Sequence, residues 1–329
     1  MGMLKTILLL ILFLVIIPLF IIVFFYKIYF DKTQEFVFSP NMPNDLPDNL
    51  PNATDANISL GPNPSDFFPN GITFYDNIRF KRNNISYSVS QDCNLARVND
   101  SREAFKILQD STILKFYEAG NNANAEINIY CSEKIKEMRD NYFVAGEGGP
   151  DFMINTSEYN VIVNGTVLLY KDNACDNPIV AIHEILHVIG FRHSTDKNSV
   201  LYTASDCKQE ITKDIIDEIN YLYKDSTLPD LKFTQLTAKR QGAFLNFESE
   251  IKNTGLLNAE NVSLSLYAGA NLINKYNLGN IDLGEGKIFR VSNLMFLRQS
   301  SNLTFIIDDK NQIPEINKEN NIANLILAS

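Results

Sequence analysis

The stretch "HEILHVIGFRHS", residues 183–194, holds all three histidines of a 329-residue chain. His183 and His187 stand four apart, so on an α-helix they fall one turn apart on one face. Two imidazole nitrogens held that way can converge on one ion, and zinc takes such nitrogens at about 2.0–2.1 Å. Gly190 lets the chain leave the helix through positive φ, and His193 can swing back as a third ligand. Glu184 can reach the open coordination position without ligating the metal and take a proton from water there. Three neutral ligands leave the charge of zinc uncompensated, which lowers the pKa of a bound water from about 15.7 toward about 7 and polarises a carbonyl. A bare HExxH does arise by chance, and a lone histidine on an apolar helix is usually a satisfied core residue. Here the third histidine and the glycine fall at HExxHxxGxxH spacing, and no histidine is spent elsewhere. The expectation is one catalytic Zn2+ ion held by His183, His187 and His193, with Glu184 as the catalytic residue.

The N-terminus has a different character. From Thr6 to Tyr26 no residue is charged, and "ILLLILFLVIIPLFIIVFF" is almost wholly apolar. About 20 such residues span roughly 30 Å of hydrocarbon as a helix. A cleavable signal has a shorter apolar core and a small-residue cleavage site, so residues 1–30 read as an uncleaved membrane anchor, with Pro18 tolerable inside it. Flanking charge does not orient it, because Lys5 stands on one side and Lys27 and Lys32 on the other. Four cysteines make an even set, as an oxidising compartment allows. Eight N-x-S/T sequons, at Asn52, Asn57, Asn84, Asn99, Asn155, Asn164, Asn261 and Asn302, add a little to this in an Asn-rich chain. Together they favour a single-pass protein with its bulk outside the cytoplasm, over a cytosolic protein with four free thiols. A formal net charge of −10, with no Lys/Arg-rich run, argues against a nucleic-acid partner.

Residues 31–70 hold seven of the twelve prolines, among many Asn and Asp, and read as an extended stalk. From about Gly71 the pattern mixes α and β. "NISYSV" (84–89) and "AEINIYCS" (125–132) alternate as strands do. "NDSREAFKILQ" starts with the cap-type residues Asn99, Asp100 and Ser101 and then sets Ala104, Phe105 and Leu108 on one helical face. "YNVIVNGTVLLYK" (159–171) has Asn164-Gly165 between two apolar runs, a hairpin signal. "DNPIVAIHEILHVIG" reads as a helix with Asn177 as N-cap, Pro178 at its first position and Gly190 as terminator. "TKDIIDEINYLY" (212–223) is another amphipathic helix. After Ser226–Pro229 short alternating runs spaced by turn residues suggest a β-sandwich of about 100 residues.

The sequence at this point resembles the metzincin metallopeptidases, whose signature is HExxHxxGxxH followed by a Met-turn. Every fixed position of the zinc motif matches. Ser194 after the last ligand, and the final "ITKDIIDEINYLY", look most like the matrixin branch. The resemblance implies an α+β zincin-like fold over residues 71–225, zinc on the three histidines, and Glu184 as general base in peptide hydrolysis. It also implies a peptide or protein substrate bound extended against an edge strand, to be sought between Asn141 and Val163. Two departures stand out. The Met-turn equivalent is "NSVLYTAS", with Leu201 before Tyr202 where a methionine would form an apolar floor; Leu for Met nearly conserves volume, so zinc binding is expected to survive. No cysteine precedes Cys93, so the cysteine-switch latency of animal matrixins is absent; Asp66 could cover the zinc, but a plain stalk is the preferred reading. If strands 84–89 and 125–132 are parallel neighbours, Cys93 and Cys131 share one end of the sheet. A Cys175–Cys207 bridge would then clamp the floor of the site. Of the three connectivities open to four cysteines, this pairing is the expected one.

Residues 229–329, through "LPDLKFTQL", "IKNTG", "IDLGEG" and above all "IIDDKNQIPEINKENNIANLIL", resemble the CARDB-type adhesion-related domains. The resemblance implies an all-β immunoglobulin-like sandwich that acts as a spacer or binds a surface protein or glycan. "DDKNQIPEINKEN" lacks the glycine of a calcium loop and reads as a polar turn of solvated charges. The expectation for the whole chain is a membrane-anchored, extracytoplasmic zinc metalloendopeptidase on a stalk. Its rival is a non-catalytic surface adhesion protein with a structural or vestigial zinc site.

Overall fold

A mixed sheet packed against three helices forms the first half of the molecule, as shown by a computed structural model that describes residues 71–329 except 121–124, 134–135, 138–142, 171–174, 297–300 and 328–329. The apolar run 6–26, the stalk 31–70 and Asp66 lie outside the described residues. No described helix is long and apolar enough to cross a membrane.

The elements run β1 (Ile78–Phe80), β2 (Asn84–Val89), α1 (Leu95–Ser111), β3 (Lys115–Glu118), β4 (Ile127–Cys131), the short β5 (Lys136–Glu137) and β6 (Phe143–Val144), β7 (Gly146–Asn155), β8 (Asn160–Leu169), α2 (Ile179–Ile189) and α3 (Lys213–Leu222). The sheet order is β1-β8-β4-β2-β3, all parallel, with β7 antiparallel to β8. β1 and β4 pair with successive parts of β8, so β7 takes its other side and forms the edge of the sheet. The core lies where Ile85 and Tyr87 of β2, Ile127 and Ile129 of β4 and Val167 of β8 meet Phe105 and Leu108 of α1 and Ile185 and Val188 of α2. Tyr87 stacks on Phe105 at 3.9 Å between ring centroids. Leu201, at the turn beyond α2, belongs to the same core.

Several expectations need correction. Asn164-Gly165 is not a turn: residues 160–169 are one strand. A Cβ on Gly165 would strike Val188 of α2 and the carbonyl of Gly149, so the glycine serves close approach within a strand. The hairpin lies one step earlier, between β7 and β8, where Thr156 Oγ1 accepts from Tyr159 N at 3.1 Å and Ser157 adopts a φ of 82°. Helix α1 begins before Asn99. Its N-cap is Asn94, whose side chain accepts from Arg97 N at 2.9 Å, while Ser101 sits inside the helix and bonds back to Arg97 O. In α2 the N-cap position falls to Pro178, with no side-chain cap, and Asn177 contributes its backbone carbonyl instead.

Arg79 in β1 is wholly buried and ties the last helix to the sheet. It donates to Leu222 O at the C-terminus of α3 (2.8 Å), a favourable place for a cation, and lies over the Tyr223 ring at 4.6 Å. The Tyr223 hydroxyl accepts from Phe80 N at 2.9 Å.

The second half is a sandwich of two antiparallel sheets. One has the order β13-β10-β9 and the other β12-β11-β14-β15. In chain order these are β9 (Leu231–Gln241), β10 (Phe244–Asn253), β11 (Ala259–Ala268), β12 (Asn271–Ile281), β13 (Gly286–Met295), β14 (Asn302–Ile307) and β15 (Ile322–Ile326). Leu245, Phe247, Leu264, Leu266 and Phe305 lie in the core between them. The turn after β14 departs from a set of solvated charges, because Asp308 and Glu315 are buried. Asp308 accepts from Ile313 N (2.7 Å) and Glu315 from Leu231 N (2.7 Å); each carboxylate satisfies a backbone donor that burial would otherwise orphan.

The sandwich rests on the β7–β8 turn. Leu256, Leu283 and Ile316 gather with Val161, Ile154 and Tyr159 in a small apolar cluster. Around it Thr156 Oγ1 donates to Thr254 O (2.8 Å), Lys252 Nζ to Ser157 Oγ (2.6 Å), and Lys232 pairs with Glu158. Gly284, with φ +76°, sits so close that a Cβ would come within 2.8 Å of Ile154 Cγ2.

Candidate metal centre

Helix α2 is buried along nearly its whole length, His183, Glu184 and His187 included. It ends at Gly190, whose φ of 111° is left-handed and whose missing Cβ leaves room for Ile78. Gly190 N donates to His187 O and Phe191 N to Leu186 O, both at 3.0 Å, satisfying carbonyls of the last turn. The chain beyond is held straight by the segment that precedes β1. Phe74 N donates to Gly190 O, Arg192 N to Ile72 O, and the Arg192 guanidinium to Thr73 O. This pairing brings His193 back toward the helix.

The three Nε2 atoms face one another, with His187 Nε2 at 2.9 Å from that of His183 and 3.3 Å from that of His193. His183 Nδ1 lies 2.6 Å from Val200 O, and His187 Nδ1 2.7 Å from Phe191 O. A carbonyl oxygen only accepts, so both Nδ1 atoms carry the proton and both Nε2 atoms present a lone pair. Converging lone pairs at this spacing repel unless a cation lies between them. Zinc bound at about 2.0–2.1 Å in tetrahedral geometry sets its nitrogens about 3.3 Å apart. The residues fit that ion, with one pair slightly compressed. Burial lowers the pKa of His183 to about 4 and of His187 to about 3; burial lowers that of His193 as well. All three therefore stay neutral and ready to ligate near pH 7. His193 is exposed, so the centre opens to solvent on its side.

Glu184 is pushed up to about 8, first by burial and then by the nearby Glu147. Its carboxyl lies under β7: a Cβ on Gly146 would come within 2.7 Å of Glu184 Cγ, and one on Gly148 would overlap the Glu184 carbonyl. Helix and edge strand thus touch backbone to backbone at Glu184. The glycines of "GEGG" (146–149) were the legible trace of this contact, although sequence reasoning located the edge strand only within a wider interval.

The floor is the turn holding Leu201 and Tyr202. Val200 supplies the carbonyl for His183, Ser194 N donates to Leu201 O at 2.8 Å, and Leu201 is 1% exposed. All four cysteines are bridged, as Cys93–Cys131 and Cys175–Cys207, with Cα separations of 5.0 and 5.2 Å. The second bridge links the chain entering α2 to the chain leaving the turn.

Comparison with known proteins agrees with this geometry. Residues 79–224 match the matrixin family and residues 228–325 the CARDB family. Similar solved structures include a crystal structure of a CARDB domain from Pyrococcus furiosus in complex with di-metal ions, 17% identical over 31% of this chain and 90% of that one, with a TM-score of 0.27. Others are a solution structure of a CARDB domain from Pyrococcus furiosus (18% identity, 31% and 96% covered, TM-score 0.27) and a domain from Methanosarcina acetivorans (17% identity, 31% and 92% covered, TM-score 0.28). No curated protein matches the chain. Residues 79–224 thus form a matrixin-type domain, and a CARDB-type domain follows it at residues 228–325.

Proposed function

We propose that the matrixin domain is a zinc-dependent endopeptidase acting on peptide or protein substrates. The observation that carries this reading is the convergence of the His183, His187 and His193 Nε2 atoms beside a buried, non-ligating carboxyl, that of Glu184. The ion these histidines would hold supplies Lewis acidity, which lowers the pKa of a water toward about 7 and polarises the scissile carbonyl. Glu184 serves as general base: it takes the proton from the attacking water and passes it to the leaving amine. Burial alone favours its protonated form, and a neighbouring dication reverses that preference. The edge of β7 that no described strand pairs receives the substrate as an added strand, through main-chain hydrogen bonds. Leu201 and Tyr202 form the floor, in place of a methionine turn.

The uncharged run 6–26 supports an anchor in the cell membrane, and the two disulfides support an oxidising, extracytoplasmic location for residues 71–329. The CARDB domain would then face a surface protein or glycan.

The test pairs metal analysis of the full chain with a peptide-library cleavage assay on wild type and Glu184→Ala. One zinc per chain, with cleavage by the wild type alone, is expected. One zinc with equal, negligible cleavage by both proteins would favour the adhesion reading.

A further inference from the structure

Strand β7 turns different residues to its two faces. Gly146 and Gly148 lie against Glu184 of α2, so Glu147 between them points to the opposite face, where it is exposed. There the Tyr170 hydroxyl donates to Glu147 Oε2 at 2.9 Å, fixing the carboxylate beside the strand. The rest of β7 has the same sign. From Gly146 to Asn155 the charged residues are Glu147 and Asp151, with no Lys or Arg, and Asp151 is held by Thr166 Oγ1 at 2.7 Å.

A peptide added to the outer edge of β7, which no described strand pairs, sets one residue directly across from Glu147, with Cβ atoms about 4.5–5.5 Å apart on the same face. Opposite charges in such a pair attract and like charges repel. Because Glu147 is flanked by the two glycines that contact Glu184, the residue facing it lies next to the bond being cut. The net charge of −10 draws the same class of peptide toward the protein.

We propose that Glu147 selects a basic side chain, Lys or Arg, at the substrate position across from it, so that basic peptides are the preferred substrates. This rests on the peptidase reading above. Glu147 acts on specificity rather than on the chemical step: its carboxylate pairs with the substrate side chain, and Tyr170 keeps it from swinging away.

The experiment uses peptides that differ only by Lys, Gln or Glu at each position flanking the cut, and compares full-chain wild type with Glu147→Gln and Glu147→Lys. Wild type is expected to prefer Lys over Gln by about three- to fivefold in kcat/KM at one position, as suits an exposed cross-strand ion pair. Added salt should shrink the preference. Glu147→Gln should abolish it and Glu147→Lys should turn it toward Glu, each read as the ratio between peptides cut by the same protein. An unchanged Lys/Gln ratio in Glu147→Gln, or an equal loss for all three peptides, overturns the proposal. Binding of the same peptides to the zinc-loaded Glu184→Ala protein separates this proposal from the one it rests on. Tighter binding of the Lys peptide that vanishes on adding Glu147→Gln sustains the role of Glu147, even if the wild type cuts nothing. Equal binding of all three, or none, overturns it.

Discussion

Helix α2 and strand β7 meet at Glu184, yet they are built in opposite ways. The helix places chemistry by what its side chains are: three polar groups held in an otherwise apolar, buried rod. The strand positions itself by what its side chains are not, because Gly146 and Gly148 let its backbone lie on that of the helix. A functional group can be read from one residue, whereas a close approach belongs to two segments that only the fold brings together.

The widest separation between the two walls should appear in turnover. Glu184→Gln keeps the shape of the helix and removes the base, so cleavage should fall by about 100- to 10,000-fold. Zinc content, measured on the same sample, should stay at one per chain. Equal turnover would move the proton transfer elsewhere.

The same substitution should act in the reverse sense on stability. In the metal-free protein the pKa of Glu184 is raised by burial to about 8 from an ordinary 4.5. Its neutral form suits the fold, so its contribution is full below about pH 4.5 and is lost as pH rises through 8. Metal-free Glu184→Gln should therefore match wild type at pH 4.5 and exceed it at pH 8, by roughly 2–4 kcal/mol. The histidines run the other way: pKa values lowered by burial make acid, below about 6.5, destabilise the metal-free fold. Urea melts at several pH values check both slopes.

On the strand side, Gly148→Ala inserts a methyl group where the Glu184 carbonyl stands. It should cost about 1–3 kcal/mol and lower kcat/KM with zinc retained. Gly120→Ala, with open space around it, should stay within about 0.5 kcal/mol. Equal effects at the two glycines would break the contrast between the walls. The smallest effect is expected at the floor, where Leu201→Met changes shape but hardly volume and should cost less than about 1.5 kcal/mol, with turnover preserved.

What could be read in advance follows the same division. The ligand spacing, the left-handed Gly190, the parallel neighbours β2 and β4, and both disulfides were legible, because each is a local pattern or follows from one pairing. Gly165 misled, since Asn-Gly between apolar runs is also how a strand looks when a helix crosses it closely; Val188, the residue that needs the space, is 23 positions away in sequence. Arg79 gave no signal, because its partners Leu222 and Tyr223 lie about 140 residues on. Asp308 and Glu315 looked like surface charges, because the backbone donors they satisfy become buried only when the sandwich closes.

The seat of the sandwich on the β7–β8 turn bears on how the described part of the molecule moves in solution. Apolar packing around Leu283, the Thr156–Thr254 bond and the lysine contacts leave no free hinge between the two halves. They should share one rotational correlation time, as a single rigid particle does, and not tumble separately like beads on a string. A ligand held by the sandwich would thus be carried at a fixed bearing to the three histidines.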